Sequence, residues 1–394
     1  MALQPAAGTR DLNPGEVDSN RRLSERLARV YRLWGYEEVA PPTVERLDTL
    51  AAGGGIDAAE LVQLASHEPL ALRPEMTASI ARAACTRMAH RPRPLRLWSS
   101  GLVFTCRRSD NGGQRIQERL QSGVELLGLA GAAADAELMR LLLAASADLG
   151  LEPSVHQPTL LVGHHGLLAA LLEGMPQPLQ RLCRQALTDL DPLALSALPL
   201  TPERSALLQR WIRLRGEPDA VLGELRAHLG DHHLLSELST TLAGVADAAR
   251  SRGVRLQLDP TFQPHFALYD GLVLKLVCQG LHAPVEIASG GRYDALVGRF
   301  SLNSPGADTT AAGVGFSVDL DALRELLAGN RSEQRRPTLV AFGTTTDVHR
   351  ALDQLEALHR AGRPAELLSE PMADRADADR LARERGHDGV VWVG

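Results

Sequence analysis

A chain of 394 residues, 44% apolar and 23% charged, is long enough for two or three domains with separate cores. It has no run approaching the roughly 18 uncharged apolar residues of a membrane span, and its net charge of −6, from 42 basic and 48 acidic residues, argues against a surface that grips nucleic acid through many phosphates. Its four cysteines lack CxxC or Cys/His spacing, and Lys275 is the only lysine, so no zinc site, no disulfide framework and no GK[ST] phosphate loop is expected, with one candidate left for Schiff-base chemistry.

In chain order, the N-terminal "MALQPAAGTRDLNPGE" lacks a basic region followed by an apolar core, so it does not read as a secretory signal and a cytoplasmic location is expected. Val17, Leu23, Leu27, Val30, Tyr31 and Trp34 follow at helical spacing up to Gly35, and "YEEVAPPTVE" reads as a strand stopped by Pro41 and Pro42. "PLALRPEMTASIARAACTRMA" runs from strand to helix, with Thr77 and Ser79 near the helix start. "LRLWSSGLVFTCRRS" is a strand that breaks at Asp110, Asn111, Gly112 and Gly113, and "ERLQSGVELLGL" resumes an alternating strand. An amphipathic helix over 134–149 follows. From about 160 to 250 the pattern turns to Leu- and Ala-rich helical segments broken by "MPQP", "LDP" and "GEPD", with no strand expected. Strand signals return at "RLQLDPTF", "DGLVLKLVCQG" and "GVGFSVDL", so the helical stretch reads as an insertion within a mixed or antiparallel sheet domain. After the charged break 329–336, a β-α-β-α-β unit runs to the last residue, with helices at 347–361 and 374–385.

Six segments, "GTRDLNP" (8–14), "GYEEVAPPTVE" (35–45), "LRPEMTASIAR" (72–82), "QERLQSGVELLG" (117–128), "LDPTF…LYDG" (258–271) and "ASGGRYDALV" (288–297), resemble in order and spacing the class II aminoacyl-tRNA synthetase fold. Within it they are similar to histidyl-tRNA synthetase and its paralogues, the regulatory subunits of ATP phosphoribosyltransferase. The resemblance implies an α+β fold: an antiparallel sheet core over 1–328, a helical insertion at about 160–250, and a small, truncated C-terminal α/β domain at 337–394. A pocket for an amino acid needs carboxylates and amide oxygens converging on its ammonium group, and Glu75, Gln121 and Glu125 supply them. Gln121 and Glu125 lie four apart in a strand and so share a face, with Gly123 between them. By resemblance these residues, with Thr77 and Tyr269, bind histidine, and Gly290 and Gly291 lie close against a flat ligand. The structural alternatives stay open: Thr77 as a helix cap, Tyr269 as a core aromatic, the glycines as a turn, and Arg73 and Arg82 as surface charges. The paired histidines at 164–165 and 232–233 lack a third ligand, and metal binding is not expected.

Adenylate formation needs cations where negative charge develops, and the synthetase pattern is broken at the positions that supply them. The family's arginine in the "PHFALYDG" stretch falls on Pro264, beside His265, and one of its two tyrosines falls on Leu268. The Glu-Arg that ends motif 3 falls on Asp321 and Ala322, and Thr105 follows Phe104 where motif 2 has arginine, with Arg107 and Arg108 displaced. The resemblance therefore implies a chain with no catalytic residues and no cofactor. It implies a regulatory subunit that pairs with a short-form ATP phosphoribosyltransferase catalytic subunit in the first step of histidine biosynthesis, takes L-histidine as feedback effector, and forms a homodimer on the motif 1 region within a hetero-oligomer. Two rivals stay open: a diverged histidine-tRNA ligase using Arg107, Arg108 or Arg115 in place of the missing cations, and a synthetase-like scaffold protein.

Overall fold

The computed structural model describes residues 4–52, 58–108, 113–262, 268–302, 311–328 and 336–394. The chain divides into two compact units, Met1–Ala328 and Gly329–Gly394. Strands of the first unit are β1 (Glu37–Glu38), β2 (Val44–Arg46), β3 (Val62–Gln63), β4 (Leu70–Leu72), β5 (Leu95–Arg108), β6 (Gln114–Leu127), β7 (Thr159–His164), β8 (Arg255–Leu258), β9 (Leu272–Gln279), β10 (Pro284–Arg292) and β11 (Gly313–Asp319). Those of the second are β12 (Thr338–Phe342), β13 (Ala365–Leu367) and β14 (Gly389–Val393).

An eight-stranded sheet in the order β1-β5-β6-β11-β10-β9-β7-β8 forms the main layer. Its interior pairs are antiparallel and its outermost pairs, β1 with β5 and β7 with β8, are parallel. The period of two sends Val124 and Leu126 of β6 and Val314, Phe316 and Val318 of β11 to one face. There they meet Leu23, Leu27 and Tyr31 of the helix Pro14–Leu33 and Leu138, Met139 and Leu142 of the helix Ala132–Asp148. At about 1.5–3 kcal/mol per fully buried apolar side chain, this layer is the main source of stability. The first helix starts three residues before its apolar stripe, because the Asn13 side chain accepts from the Glu16 amide while Glu16 accepts from the Asn13 amide, with Pro14 in the first turn.

The opposite face carries a smaller cluster, in which Met76, just before the helix Thr77–Cys85, and Ile80 and Ala84 within it pack with Leu97, Val103, Leu127, Leu268, Tyr293 and Leu296. That helix and this face enclose the site described below.

Two expectations are corrected. The segment "TLLVGH" is strand β7, paired with β8 and β9, although its Leu-rich sequence reads as helix; the helical insertion begins only at His165. The stretch "YEEVAPPTVE" is two strands in two sheets: Pro41 and Pro42 cannot donate to a ladder, so β1 ends before them and β2 pairs instead with β4. In the insertion, Pro192, Pro202 and Pro218 open helices capped by the side chains of Asp191, Thr201 and Glu217. No described helix is long and apolar enough to cross a membrane.

The second unit is a three-stranded parallel sheet, β13-β12-β14, with the helices Val348–Arg360 and Arg375–Arg385 as its crossovers. Leu339 and Ala341 pack on one side of β12, Val340 and Phe342 on the other.

Candidate functional site

Gly315, on β11, has no room for a side chain: a Cβ there would sit 1.8 Å from Glu125 Oε2. β11 pairs with β6 so that Gly315 faces Glu125, Ser317 faces Gly123 and Asp319 faces Gln121. Gly123 is equally required, since a Cβ would meet the Phe316 carbonyl at 2.8 Å. The two glycines let the strands close while the Glu125 carboxylate lies across them toward the helix Thr77–Cys85.

Glu125 is 3% exposed. The Thr77 hydroxyl donates to its Oε1 at 2.7 Å and the buried Tyr293 hydroxyl donates to its Oε2. Burial pushes its carboxyl up to about 8; the two hydroxyls oppose the shift and the nearby Glu75 adds to it. Glu75 is half-buried. Its carboxylate accepts from the Thr77 amide and from the Ala78 amide at 3.0 Å, so it caps the helix. Burial raises its carboxyl, and the amides oppose the rise.

These residues line one pocket of about 460 Å³ together with Gln121 and Tyr269. All five of the expected positions, Glu75, Thr77, Gln121, Glu125 and Tyr269, thus come together, from a helix N-terminus, β6 and the turn before β9. Gln121 makes no side-chain hydrogen bond to any described residue and lines the pocket. Tyr269 lies against Gly291, where a Cβ would meet its ring at 2.8 Å, and burial, with the carboxylates of Glu125, Glu75 and Glu286 nearby, raises its phenol. Thr77 is not the cap of its helix; Glu75 takes that part and Thr77 reaches the second carboxylate.

Several expectations change. Gly290 and Gly291 do not face a flat ligand: Cβ atoms there would meet the Gly315 carbonyl at 2.2 Å and the Leu272 carbonyl at 2.4 Å, so the pair serves strand packing and the seat of Tyr269. Arg73 is no surface charge but a buried strut, donating to the carbonyls of Leu102 (3.0 Å) and Pro41 (2.8 Å). Arg82 pairs with buried Glu45 at 2.7 Å. His164 and His232 accept from the amides of Gly166 and Leu234 as helix caps. Asp321 accepts from the Leu120 amide at 2.8 Å and pairs with buried Arg324 at 2.6 Å, a structural network. Pro264 and His265 lie outside the described residues, as does the side chain of Arg108.

Sequence reasoning missed Tyr293, Gly315 and the far wall. Tyr293 stands in "SGGRYD", whose Arg292 is itself buried on Asp135 and Asp294. At the far wall Lys275 pairs with Glu286 at 2.8 Å, and Arg119 pairs with Asp319 at 3.6 Å. Only the pairing register of strands distant in sequence brings these groups to the pocket.

The histidyl-tRNA synthetase family model matches residues 8–323. The chain is 52% identical, over the full length of both sequences, to a protein of Synechococcus sp. (strain RCC307) named ATP phosphoribosyltransferase regulatory subunit. A crystal structure from Bacillus halodurans titled as an ATP phosphoribosyltransferase regulatory subunit/histidyl-tRNA synthetase superposes with a TM-score of 0.80 at 25% identity, covering 100% of this chain and 98% of that one. The histidyl-tRNA synthetase of Nostoc sp. PCC 7120, 20% identical with a TM-score of 0.78 over 100% of this chain and 92% of that one, shares the fold.

Proposed function

The chain belongs to the histidyl-tRNA synthetase family, and from that premise we propose that it is the non-catalytic regulatory subunit of ATP phosphoribosyltransferase and acts as its histidine sensor. Its relatives of equal length carry that name. The observation that carries the sensor reading is the pairing of Glu75 and Glu125 in one pocket, the second buried and gripped by two hydroxyls. Two carboxyl groups so held suit a ligand with N–H donors. Histidine brings an ammonium and an imidazole N–H, and the Gln121 amide and the Tyr269 ring complete the set.

The same reading accounts for the lost synthetase chemistry. Where the synthetase pattern has a phosphate-binding Glu-Arg, Asp321 is committed to the Leu120 amide and Arg324, and Ala322 offers no charge. Feedback then requires histidine to bind the inhibited and active states of the complex with different affinity. The partner is a short-form catalytic subunit, and the subunit pairs with a second copy of itself within the hetero-oligomer.

The test is ATP phosphoribosyl transfer by a short-form catalytic subunit with and without this chain, titrating histidine, with Glu125→Gln as control. Activity that depends on the chain and falls with histidine only when Glu125 is intact is the expected result. A rate that ignores both chain and histidine overturns the assignment.

A further inference from the structure

An amino-acid effector carries a carboxylate as well as an ammonium, and the groups so far assigned offer that carboxylate no cation. Three cationic residues line the pocket: Arg107, Arg119 and Lys275. Arg119 is tied to two side chains of its own surroundings, pairing with Asp319 at 3.6 Å and donating to Gln117 at 3.2 Å, whereas Lys275 has one such partner, Glu286. Arg107 faces a second cation, Arg115, across the β5–β6 ladder, ten residues along β6 from Glu125.

Lys275 is placed differently. In the sheet register Gly123 faces Ser317, Ser317 faces Ser289, and Ser289 faces Lys275. This row lies between the row of Glu125 and that of Gln121. Its three other members are glycine and serines, so the floor from β6 to β9, three strand spacings or about 14 Å across, carries no bulky side chain. Ser289, Ser317 and Lys275 are all half-exposed, whereas their neighbours Leu274, Leu276, Phe316 and Val318 are buried on the other face. The lysine thus stands at the β9 end of an open floor whose β6 end adjoins Glu125, its ammonium against Glu286 and 5.5 Å over the Phe262 ring. Its ammonium has three donors, and among the described residues its ion-pair partner is Glu286 alone, itself 44% exposed.

Resting on the histidine reading of this pocket, we propose that Lys275 holds the effector's carboxylate and is the residue by which the pocket tells an amino acid from the corresponding amine. Glu286 keeps the ammonium pinned at the wall and shares it with the incoming carboxylate. The single lysine thus supplies a cation at the β9 side of the pocket, across the sheet from Glu125.

The test is calorimetric binding of histidine and of histamine, which lacks the carboxylate, to the full chain and to its Lys275→Gln, Lys275→Arg and Glu286→Gln variants. Wild type should prefer histidine. Lys275→Gln should weaken histidine by about ten- to a hundredfold, the range for a charge-assisted hydrogen bond, and leave histamine unchanged, with Lys275→Arg retaining part of the preference. Glu286→Gln, which frees the ammonium, should strengthen histidine. If Lys275→Gln lowers both ligands equally, or leaves the histidine-to-histamine ratio as it was, the lysine is a structural ion pair and the inference is overturned while the sensor reading stands. If wild type binds neither ligand, the sensor reading fails and this inference with it.

Discussion

Burial pushes the Glu125 carboxyl up to about 8, so at neutral pH the group holds its proton, whereas a ligand ammonium or imidazole N–H is best met by the anion. Binding must then expel a proton from Glu125, and affinity for histidine should rise as pH climbs from about 6 toward 8. Calorimetry at pH 7 in two buffers of different ionisation enthalpy checks this. Release of a large part of one proton is expected, and none would mean that Glu125 is already ionised. The same shift has a stability sign. The folded carboxyl titrates above its unfolded value of 4.5, so between 4.5 and about 8 the folded state binds the extra proton and stability falls as pH rises through that window. Glu125→Gln should flatten the slope of Tm against pH there.

Glu75 serves two structures at once, and this separates it from Gln121 at the level of the helix it begins. Its oxygens accept from the amides of Thr77 and Ala78, donors that a helix N-terminus otherwise leaves unpaired. Glu75→Ala should therefore cost about 1 kcal/mol of stability, the usual worth of a cap, in addition to weakening histidine. Gln121→Ala should change stability by less than about 0.5 kcal/mol while still weakening the ligand. Chemical denaturation paired with calorimetry distinguishes them, and equal stability losses would remove the cap from the account. The helix itself was legible from "RPEMTASIARAAC", but its cap was not, because Glu75 fills the role from two residues before Thr77 where Ser or Thr would be sought. Strand β7 was missed for a different reason. "TLLVGH" has no apolar/polar alternation to read, since Leu160, Leu161 and Val162 are apolar in succession and Val162 and Gly163 are both buried, and only pairing to β8 and β9 decides it.

Across the whole molecule, the six sequence segments sufficed to place five ligand candidates because those candidates sit on local signatures. The remainder of the pocket depends on contacts between residues far apart in sequence: Gly315 under Glu125, Tyr293 on its Oε2, Lys275 three strands away. None of these leaves a periodicity in its own segment. The proposed function carries a constraint at this scale that no single residue can evade. If histidine shifts the complex toward an inhibited state, the two binding events share one coupling free energy. Suppose the catalytic subunit binds this chain more tightly, or more weakly, by some factor when histidine is saturating. The affinity of this chain for histidine must then change by the same factor when the catalytic subunit is saturating. Couplings of this kind usually amount to about 1–3 kcal/mol, or roughly 5- to 150-fold, large enough to measure from either side. Titrating histidine into the chain alone and into the assembled complex, and titrating the catalytic subunit with and without histidine, should give equal factors. If histidine inhibits while both factors equal one, it acts on the catalytic rate or on the catalytic subunit directly; the Glu125→Gln complex, insensitive in the first case and inhibited as before in the second, tells these apart.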